Sequence, residues 1–117
     1  MAEQTENRTQ WHATHRFARI SPRKAKLVMS LIRGRPCHEA LDILRFNHRR
    51  ASGLIAAVLR SAINNAEHAE ADVARLVVSE ARADGGPYYR RWRPKDRGRA
   101  HPIARRTSHL TVRVVET

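Results

Sequence analysis

The segment from Arg82 to Arg106 constrains the fold more than any other part of this 117-residue chain. It holds nine Lys and Arg residues against two Asp residues, so it carries +7 of the chain's formal charge of +12. Its three prolines exclude a regular helix, and its three glycines loosen the backbone further. Because it has no apolar pattern to bury, this segment must lie outside the core, where its charge suits a dense array of phosphates. We therefore interpret it as a binding arm.

Three aromatic residues, Tyr88, Tyr89 and Trp92, are interleaved with the arginines of the arm. Aromatic rings and guanidinium planes both stack on unpaired nucleobases. Packing at the base of the arm explains Tyr88 and Tyr89 equally well, whereas Trp92 is better explained as a contact to a partner. Proteins that read duplex DNA usually present a helix to the major groove. A proline-rich arm charged on all sides fits folded RNA better.

The composition of the whole chain limits the classes of function. A pI near 11.5 indicates a polyanionic partner. No apolar run approaches the ~20 residues of a membrane span and no signal peptide is visible, so a cytoplasmic protein without a membrane partner is expected. Cys37 is the only cysteine, and the seven histidines have no metal-ligand spacing. Without a catalytic motif either, the sequence predicts no enzyme, no cofactor, no metal and no small-molecule substrate.

The chain divides into an extension and one domain. Residues 1–12 are polar and aperiodic, so they are predicted to be disordered. Residues 13–117 have the usual size of a single domain, with the arm over residues 82–106. A short cationic strand is expected over residues 13–20.

The first helix is predicted from its terminal residues. Ser21 is an N-cap, Pro22 suits the first helical position, and Gly34 supplies the stop after Arg33. Its expected apolar face comprises Leu27, Val28, Leu31 and Ile32. Its start is basic, with Arg23, Lys24 and Lys26, and cations there oppose the helix macrodipole. Basic residues at this unfavourable position suggest that they bind an anion of a partner molecule. The alternative is that they form an ordinary solvated face of the helix.

Two further helices and two strands complete the prediction. Pro36 opens a second helix that closes at Phe46, and Asn47 is expected to cap a third over residues 48–67. The third has the strongest helical periodicity in the chain, so it is the predicted core helix. Its apolar positions are Ala51, Leu54, Ile55, Val58, Leu59, Ala62, Ile63 and Ala66. Strands are expected over residues 73–81 and 107–115, on either side of the arm, which gives an α+β domain with a small antiparallel sheet.

Several motifs resemble the family of bacterial large-subunit ribosomal protein L-twenty-two. The stretches that carry the resemblance are SPRKAKLVMSLIRG, EALDIL, SAINNAEH and RPKDRGRAHPIARRTSHLTVRV. The resemblance covers about residues 15–116, in the same order and spacing. The resemblance implies three helices packed on a three-stranded antiparallel sheet, with a long protruding β-hairpin. It also implies a structural role in the large ribosomal subunit, in which the hairpin runs along the peptide exit tunnel.

The expected partners are large-subunit ribosomal RNA, neighbouring large-subunit proteins and the nascent peptide. Charge and resemblance together predict an RNA-binding set of Arg16, Arg19, Arg23, Lys24, Lys26, Arg90, Arg91, Trp92, Arg93, Lys95, Arg97, Arg99, Arg105, Arg106 and His109. Trp92 and Tyr89 are bulkier than the residues usual in the family, so the shape of the tunnel wall near the hairpin tip is expected to differ. Asp96 stands where the family usually has a small neutral residue, which weakens the expected RNA contact there. From the residues alone, a nucleoid-type DNA-binding protein that uses the first and third helices is the alternative. A basic membrane-surface module ranks last, because its helices are expected to bury their apolar faces in a core.

Overall fold

The computed structural model describes residues 10–95 and 98–117 as three helices and two antiparallel sheets. The elements in chain order are β1 (Gln10–Ala18), α1 (Pro22–Ile32), α2 (Cys37–Phe46), α3 (Arg50–His68), a 3-10 turn (Val73–Arg75), β2 (Leu76–Gly85), β3 (Tyr89–Lys95), β4 (Arg99–Arg105) and β5 (Ser108–Glu116). One sheet has the strand order β1-β5-β2, and β3 and β4 form a separate two-stranded hairpin. The predicted α+β architecture is therefore confirmed. None of the described helices is long and apolar enough to cross a bilayer.

Helix α1 begins as its sequence predicts. The Ser21 hydroxyl accepts a hydrogen bond from the Lys24 backbone N–H, and Gly34 has the left-handed φ of +74° at the other end. The predicted apolar face was partly wrong. Val28 and Ile32 are buried, but Leu27 and Leu31 are exposed, and the buried face is completed by Ala25 and Met29. The stripe 25-28-29-32 follows the three- and four-residue steps of one helix face, which leaves Leu27 and Leu31 turned toward solvent.

Helix α3 is the central element of the core. Seven of its eight predicted apolar residues are buried, and only Leu54 remains partly exposed. The helix packs against β1 and β5 on one side and against α1 and α2 on the other. The predicted cap was wrong, since Asn47 ends α2 and the N-cap of α3 is Arg49, which makes no side-chain capping bond. The Asn47 carboxamide oxygen instead accepts the Arg49 N–H at 2.9 Å.

Strand β5 organises the three-stranded sheet because it pairs with both neighbours. Leu110, Val112 and Val114 are fully buried against the helices, as the alternation of the sequence predicts. On the opposite face, Thr111 and Val115 are also buried, while Arg113 is partly exposed. A central strand is flanked on both sides, so its outer face is covered more than that of an edge strand.

Several predicted boundaries differ from the structure, three of them by more than two residues. Gln10 to His12 belong to β1 and pair with Val115, Val114 and Arg113, because the strand can extend along the whole of β5. Residues 1–9 of the predicted extension lie outside the described residues. Residues 73–75 form a 3-10 turn rather than the start of a strand, with the Asp72 side chain accepting the Ala74 N–H. Residues 82–85, predicted to begin the arm, continue β2 in the core sheet.

The hairpin projects from the end of the sheet as a regular ribbon. Its strands pair in continuous register from Tyr89 with Arg105 to Lys95 with Arg99. Gly98, with a φ of +71°, occupies the last position of the connection, where three-residue hairpin loops require a left-handed residue. The prolines exclude a helix but not this paired ribbon. The chain extends over 62 × 32 × 25 Å with a radius of gyration of 17.4 Å, well above the ~13 Å of a compact domain of this length.

Candidate nucleic-acid interface

The hairpin joins the core through a tightly packed junction at the sequence Thr107-Ser108-His109, which follows β4. The buried Thr107 hydroxyl donates to the Pro87 carbonyl at 2.6 Å, and the Gly86 N–H donates to the Thr107 carbonyl at 2.9 Å. Buried Ser108 donates to the Ile20 carbonyl. These bonds fix the direction in which the hairpin leaves the sheet.

The next residue of the motif, His109, supports an irregularity in β1. Phe17 has a φ of +59° beside a break in the β1–β5 register, and its N–H donates to His109 Nδ1 at 3.1 Å. The two rings meet edge to face with centroids 5.0 Å apart. The Arg16 guanidinium lies 5.5 Å from the centre of the exposed Phe17 ring. His109, predicted to bind RNA, thus has one ring nitrogen engaged within the protein.

Two clefts flank the base of the hairpin. The larger, which we call the large cleft, has a volume of about 710 Å³ and is lined by Arg19, Ile20, Ser21, Lys24, Arg50, Tyr89, Ala104, Arg105, Arg106 and Thr107. The small cleft has a volume of about 410 Å³ and is lined by Pro22, Arg23, Lys26, Leu27, Tyr88 and Arg106. Arg106 contributes to both. Six predicted RNA-binding residues are therefore brought together at the hairpin base.

Both clefts are strongly cationic and lack acidic residues in their walls. Five Lys or Arg residues line the large cleft, and three line the small one. Among the described residues, carboxylates pair instead with Arg35, Arg75, Arg82 and Arg113, all outside the clefts. The cleft cations are thus without acidic partners in the described part of the chain. Such a concentration of unpaired charge is a ready site for an anion.

Each cleft also presents one tyrosine beneath a guanidinium group. The Arg19 guanidinium lies 5.9 Å from the centre of the Tyr89 ring in the large cleft. The Arg106 guanidinium lies 5.8 Å from the centre of the Tyr88 ring, which lines the small cleft. The two rings are 42 % and 62 % exposed, respectively, so they are not packed into the core. Of the two explanations left open by the sequence, the structure favours surface stacking over burial for both.

The remaining predicted residues lie along the hairpin. Arg90 and Trp92 are exposed on β3, and Trp92 is 66 % exposed. Arg91, Arg93 and Lys95 belong to β3 and Arg99 belongs to β4. Arg97 lies outside the described residues. Cations thus follow the hairpin along both strands.

Arg50 is a cation of the large cleft that is absent from the RNA-binding set predicted from the sequence. It begins α3, and the first turn of this helix contains no acidic residue. The same signal, cations at a helix start where they oppose the macrodipole, was used to select Arg23, Lys24 and Lys26 at α1. Applied to Arg49 and Arg50, it would have indicated a second basic helix start, and the fold brings Arg50 to the cleft that also contains Lys24.

The single thiol of the chain is buried in the core and does not line either cleft. Cys37 is buried, and desolvation raises the pKa of its thiol to about 11. The thiol is therefore protonated at neutral pH and behaves as a small apolar side chain.

The small helix-and-sheet core, the basic hairpin and the two cationic clefts are features expected of a protein that binds a polyanion. A family model described as Ribosomal protein L22p/L17e matches residues 13–115. The chain therefore belongs to this family of structural, non-enzymatic ribosomal proteins, and it is a cytoplasmic constituent of the large ribosomal subunit. The resemblance stated from the sequence motifs is confirmed.

Proposed function

We propose that the chain binds large-subunit ribosomal RNA through its hairpin and the two clefts, and thereby supports assembly of the subunit. The observation that carries this proposal is the separation of charge in the molecule. Carboxylates pair with Arg82 and Arg113 of the sheet, with Arg75 of the 3-10 turn and with Arg35 just before α2. The cleft cations, in contrast, have no acidic partner among the described residues. Unpaired cations beside exposed aromatic rings suit RNA, which offers both phosphates and unstacked bases.

The hairpin is proposed to run along the peptide exit tunnel and to face the nascent peptide with part of its surface. Its extended ribbon and the exposed Trp92 support this role, since a two-stranded ribbon can enter a narrow space between RNA segments. Neighbouring large-subunit proteins are proposed as partners of the globular part, where Phe46 is 81 % exposed.

The DNA-binding alternative is weakened by the packing of α3. Nine residues of this helix are buried between the sheet and the other helices. From residue 53 to its end the helix carries a single Arg or Lys, Arg60. A helix that reads the major groove must instead present a polar, basic face to the duplex.

The RNA assignment is tested by comparing nucleic acids at equal salt. The full chain should bind a large-subunit RNA transcript more tightly than a small-subunit transcript or duplex DNA. Because many phosphates are neutralised, the logarithm of affinity should fall steeply with the logarithm of salt concentration. Equal or tighter binding to duplex DNA would contradict the proposal and favour the alternative.

The tunnel assignment needs intact ribosomes. A photoreactive phenylalanine analogue at position 92 should crosslink to large-subunit RNA or to a labelled, stalled nascent peptide. The same analogue at position 46 is a matched control, since Phe46 is also exposed but lies on the globular part. Nascent-peptide crosslinks from position 46 and none to peptide or RNA from position 92 would contradict the proposed path of the hairpin.

A further inference from the structure

The large cleft has the size of a site for one small molecule or one nucleotide. Its volume of about 710 Å³ falls within the roughly 300–1,000 Å³ typical of small-molecule sites. Three separate parts of the chain meet there: the turn before α1, the first residue of α3 and the base of the hairpin. This convergence makes it a formed concave site, distinct from the extended cationic surface of the hairpin strands.

The cations of the cleft surround it from different elements. Arg19 and Lys24 come from the β1–α1 connection and α1, Arg50 from α3, and Arg105 from β4. The described residues offer none of these side chains a carboxylate partner, as noted above. Several cations around one cavity suit a phosphate group, whose charged oxygens accept bonds from different directions.

Tyr89 sets a second requirement on the ligand of the large cleft. Its partly exposed ring lies in this cleft beneath the Arg19 guanidinium. Phenol rings and guanidinium planes offer flat surfaces on which a nucleobase stacks. A bare inorganic anion would leave these surfaces unused. The ligand class that uses both the cations and the ring contains a phosphate and an aromatic base.

We infer that the large cleft binds one unpaired nucleotide of folded RNA, with its base stacked at Tyr89 and its phosphate held by Arg50, Arg19 and Lys24. This inference rests on the proposed RNA-binding function and names a discrete subsite within it. The cleft opens beside the cationic hairpin, so a nucleotide that belongs to a longer chain gains the surrounding phosphate contacts, which a free nucleotide lacks. The small cleft, which also contains Arg106 and a tyrosine, Tyr88, is smaller and has fewer cations than the large cleft. We therefore assign the nucleotide to the large cleft.

The phosphate contact is tested by adjacent arginines of one helix. Arg50 lines the cleft, whereas the neighbouring exposed Arg49 does not. With a large-subunit RNA transcript as the probe, log affinity falls with log salt concentration. Arg50→Gln should make this fall shallower, reducing the magnitude of the slope by about 0.7–0.9, the value for one phosphate contact. Arg49→Gln should change the slope less. Equal changes in the two variants would overturn the assignment of Arg50.

The stacking contact is tested at Tyr89. Tyr89→Phe keeps the ring and should bind RNA within about twofold of the unmodified chain, whereas Tyr89→Leu should bind about 5- to 150-fold more weakly. Circular dichroism melts of both variants show whether they remain folded. If Tyr89→Leu has no effect while Arg50→Gln does, the cleft holds a phosphate of the RNA without a stacked base, and the nucleotide assignment is overturned.

A photocrosslink shows directly whether a base occupies the cleft. Large-subunit RNA that contains 4-thiouridine should crosslink at Tyr89 or at residues 104–107, as mapped by mass spectrometry. Crosslinks confined to the distal hairpin would contradict the inference, and so would binding of free AMP as tight as that of the RNA.

If the unmodified chain shows no preference for large-subunit RNA, the proposed function fails. If that preference persists while Arg50→Gln and Tyr89→Leu behave like their controls, only the cleft assignment fails.

Discussion

The three-stranded sheet and the hairpin are both antiparallel, yet different forces hold them. In the sheet, Leu110, Val112 and Val114 of the central strand are fully buried beneath the helices. In the hairpin, every residue of β3 and β4 whose side chain is described is exposed, including Trp92. A two-stranded ribbon without a buried face is marginally stable in water. The sheet is thus held by its own buried core, whereas the hairpin is attached to the protein through the junction at Thr107 and Ser108.

The difference extends to electrostatics. On the sheet, Arg82 pairs with Glu80 at 3.1 Å and with Asp84 at 3.2 Å, and Arg113 lies 3.6 Å from Glu80. At the hairpin base, the cations that line the clefts have no such partners in the described part of the chain. Exposed pairs contribute little to stability, but they leave the sheet surface nearly neutral. The comparison indicates that the core is built to fold alone and the arm to meet an anionic surface.

The largest expected effect is a loss of core stability that has no counterpart in the hairpin. Leu59 is fully buried in α3, so Leu59→Ala should lower the free energy of unfolding by about 2–5 kcal/mol. Trp92→Ala removes a larger but mostly exposed side chain and should change it by less than about 0.5 kcal/mol. Urea unfolding followed by circular dichroism measures both. A comparable loss in the two variants would erase the distinction between core and arm.

An intermediate effect is expected at the junction between the two regions. A Cβ on Gly86 would lie 2.5 Å from Thr107 Oγ1 and 3.3 Å from the Thr107 carbonyl atoms, too close without a shift of the returning strand. Gly86→Ala should therefore destabilise the fold by about 1–3 kcal/mol.

The adjacent glycine supplies the control for this prediction. A Cβ on Gly85 would meet only Pro22 Cγ at 3.9 Å, an ordinary contact. Gly85→Ala should leave the unfolding free energy nearly unchanged in the same urea titration. If both variants lose the same stability, close packing at Thr107 is not what joins the arm to the core.

The smallest effect concerns the buried thiol of the core. Burial raises the pKa of Cys37 from 9.0 to about 11, so folding favours the protonated form. Its contribution is fully present below pH 9 and is lost as pH rises toward 11. Unfolding at pH 8 and pH 10 should show a steeper decline for the native chain than for Cys37→Ala. Equal declines would mean that the thiol remains accessible to water.

Periodicity predicted the elements that are held by burial. The apolar residues of α3 recur at helical steps, and the terminal signals of α1 were correct at Ser21, Pro22 and Gly34. The face of α1 was less predictable, because adjacent pairs such as Leu27 and Val28 are equally apolar and only packing decides which one is buried. Asn47 likewise suited either end of a helix, and the chain uses it to end α2.

The binding site was predicted only in part, for a physical reason. Composition identified the cationic arm and the basic start of α1, but a cleft is formed by residues that are distant in the sequence. Arg50 and Tyr89 meet only because α3 packs across β1 and β5 and brings its first residue to the hairpin base. The roles of Thr107, Ser108 and His109 in the junction also depend on partners in other elements.

The central claim, that the core folds alone while the hairpin binds RNA, is tested most directly by shortening the hairpin. Arg90 and Ala104 pair across the ribbon, so an Asn-Gly turn can replace residues 91–103 and keep both strands in register. The replacement removes five Lys and Arg residues and one Asp, and it leaves the clefts in place.

Unfolding and RNA affinity should be measured on the same shortened protein. We predict an unfolding free energy within about 0.5 kcal/mol of the full-length value. For a large-subunit RNA transcript, the magnitude of the negative slope of log affinity against log salt should decrease by about 3–5, since each lost phosphate contact contributes about 0.7–0.9. Loss of cooperative unfolding, or an unchanged salt slope, would contradict the account.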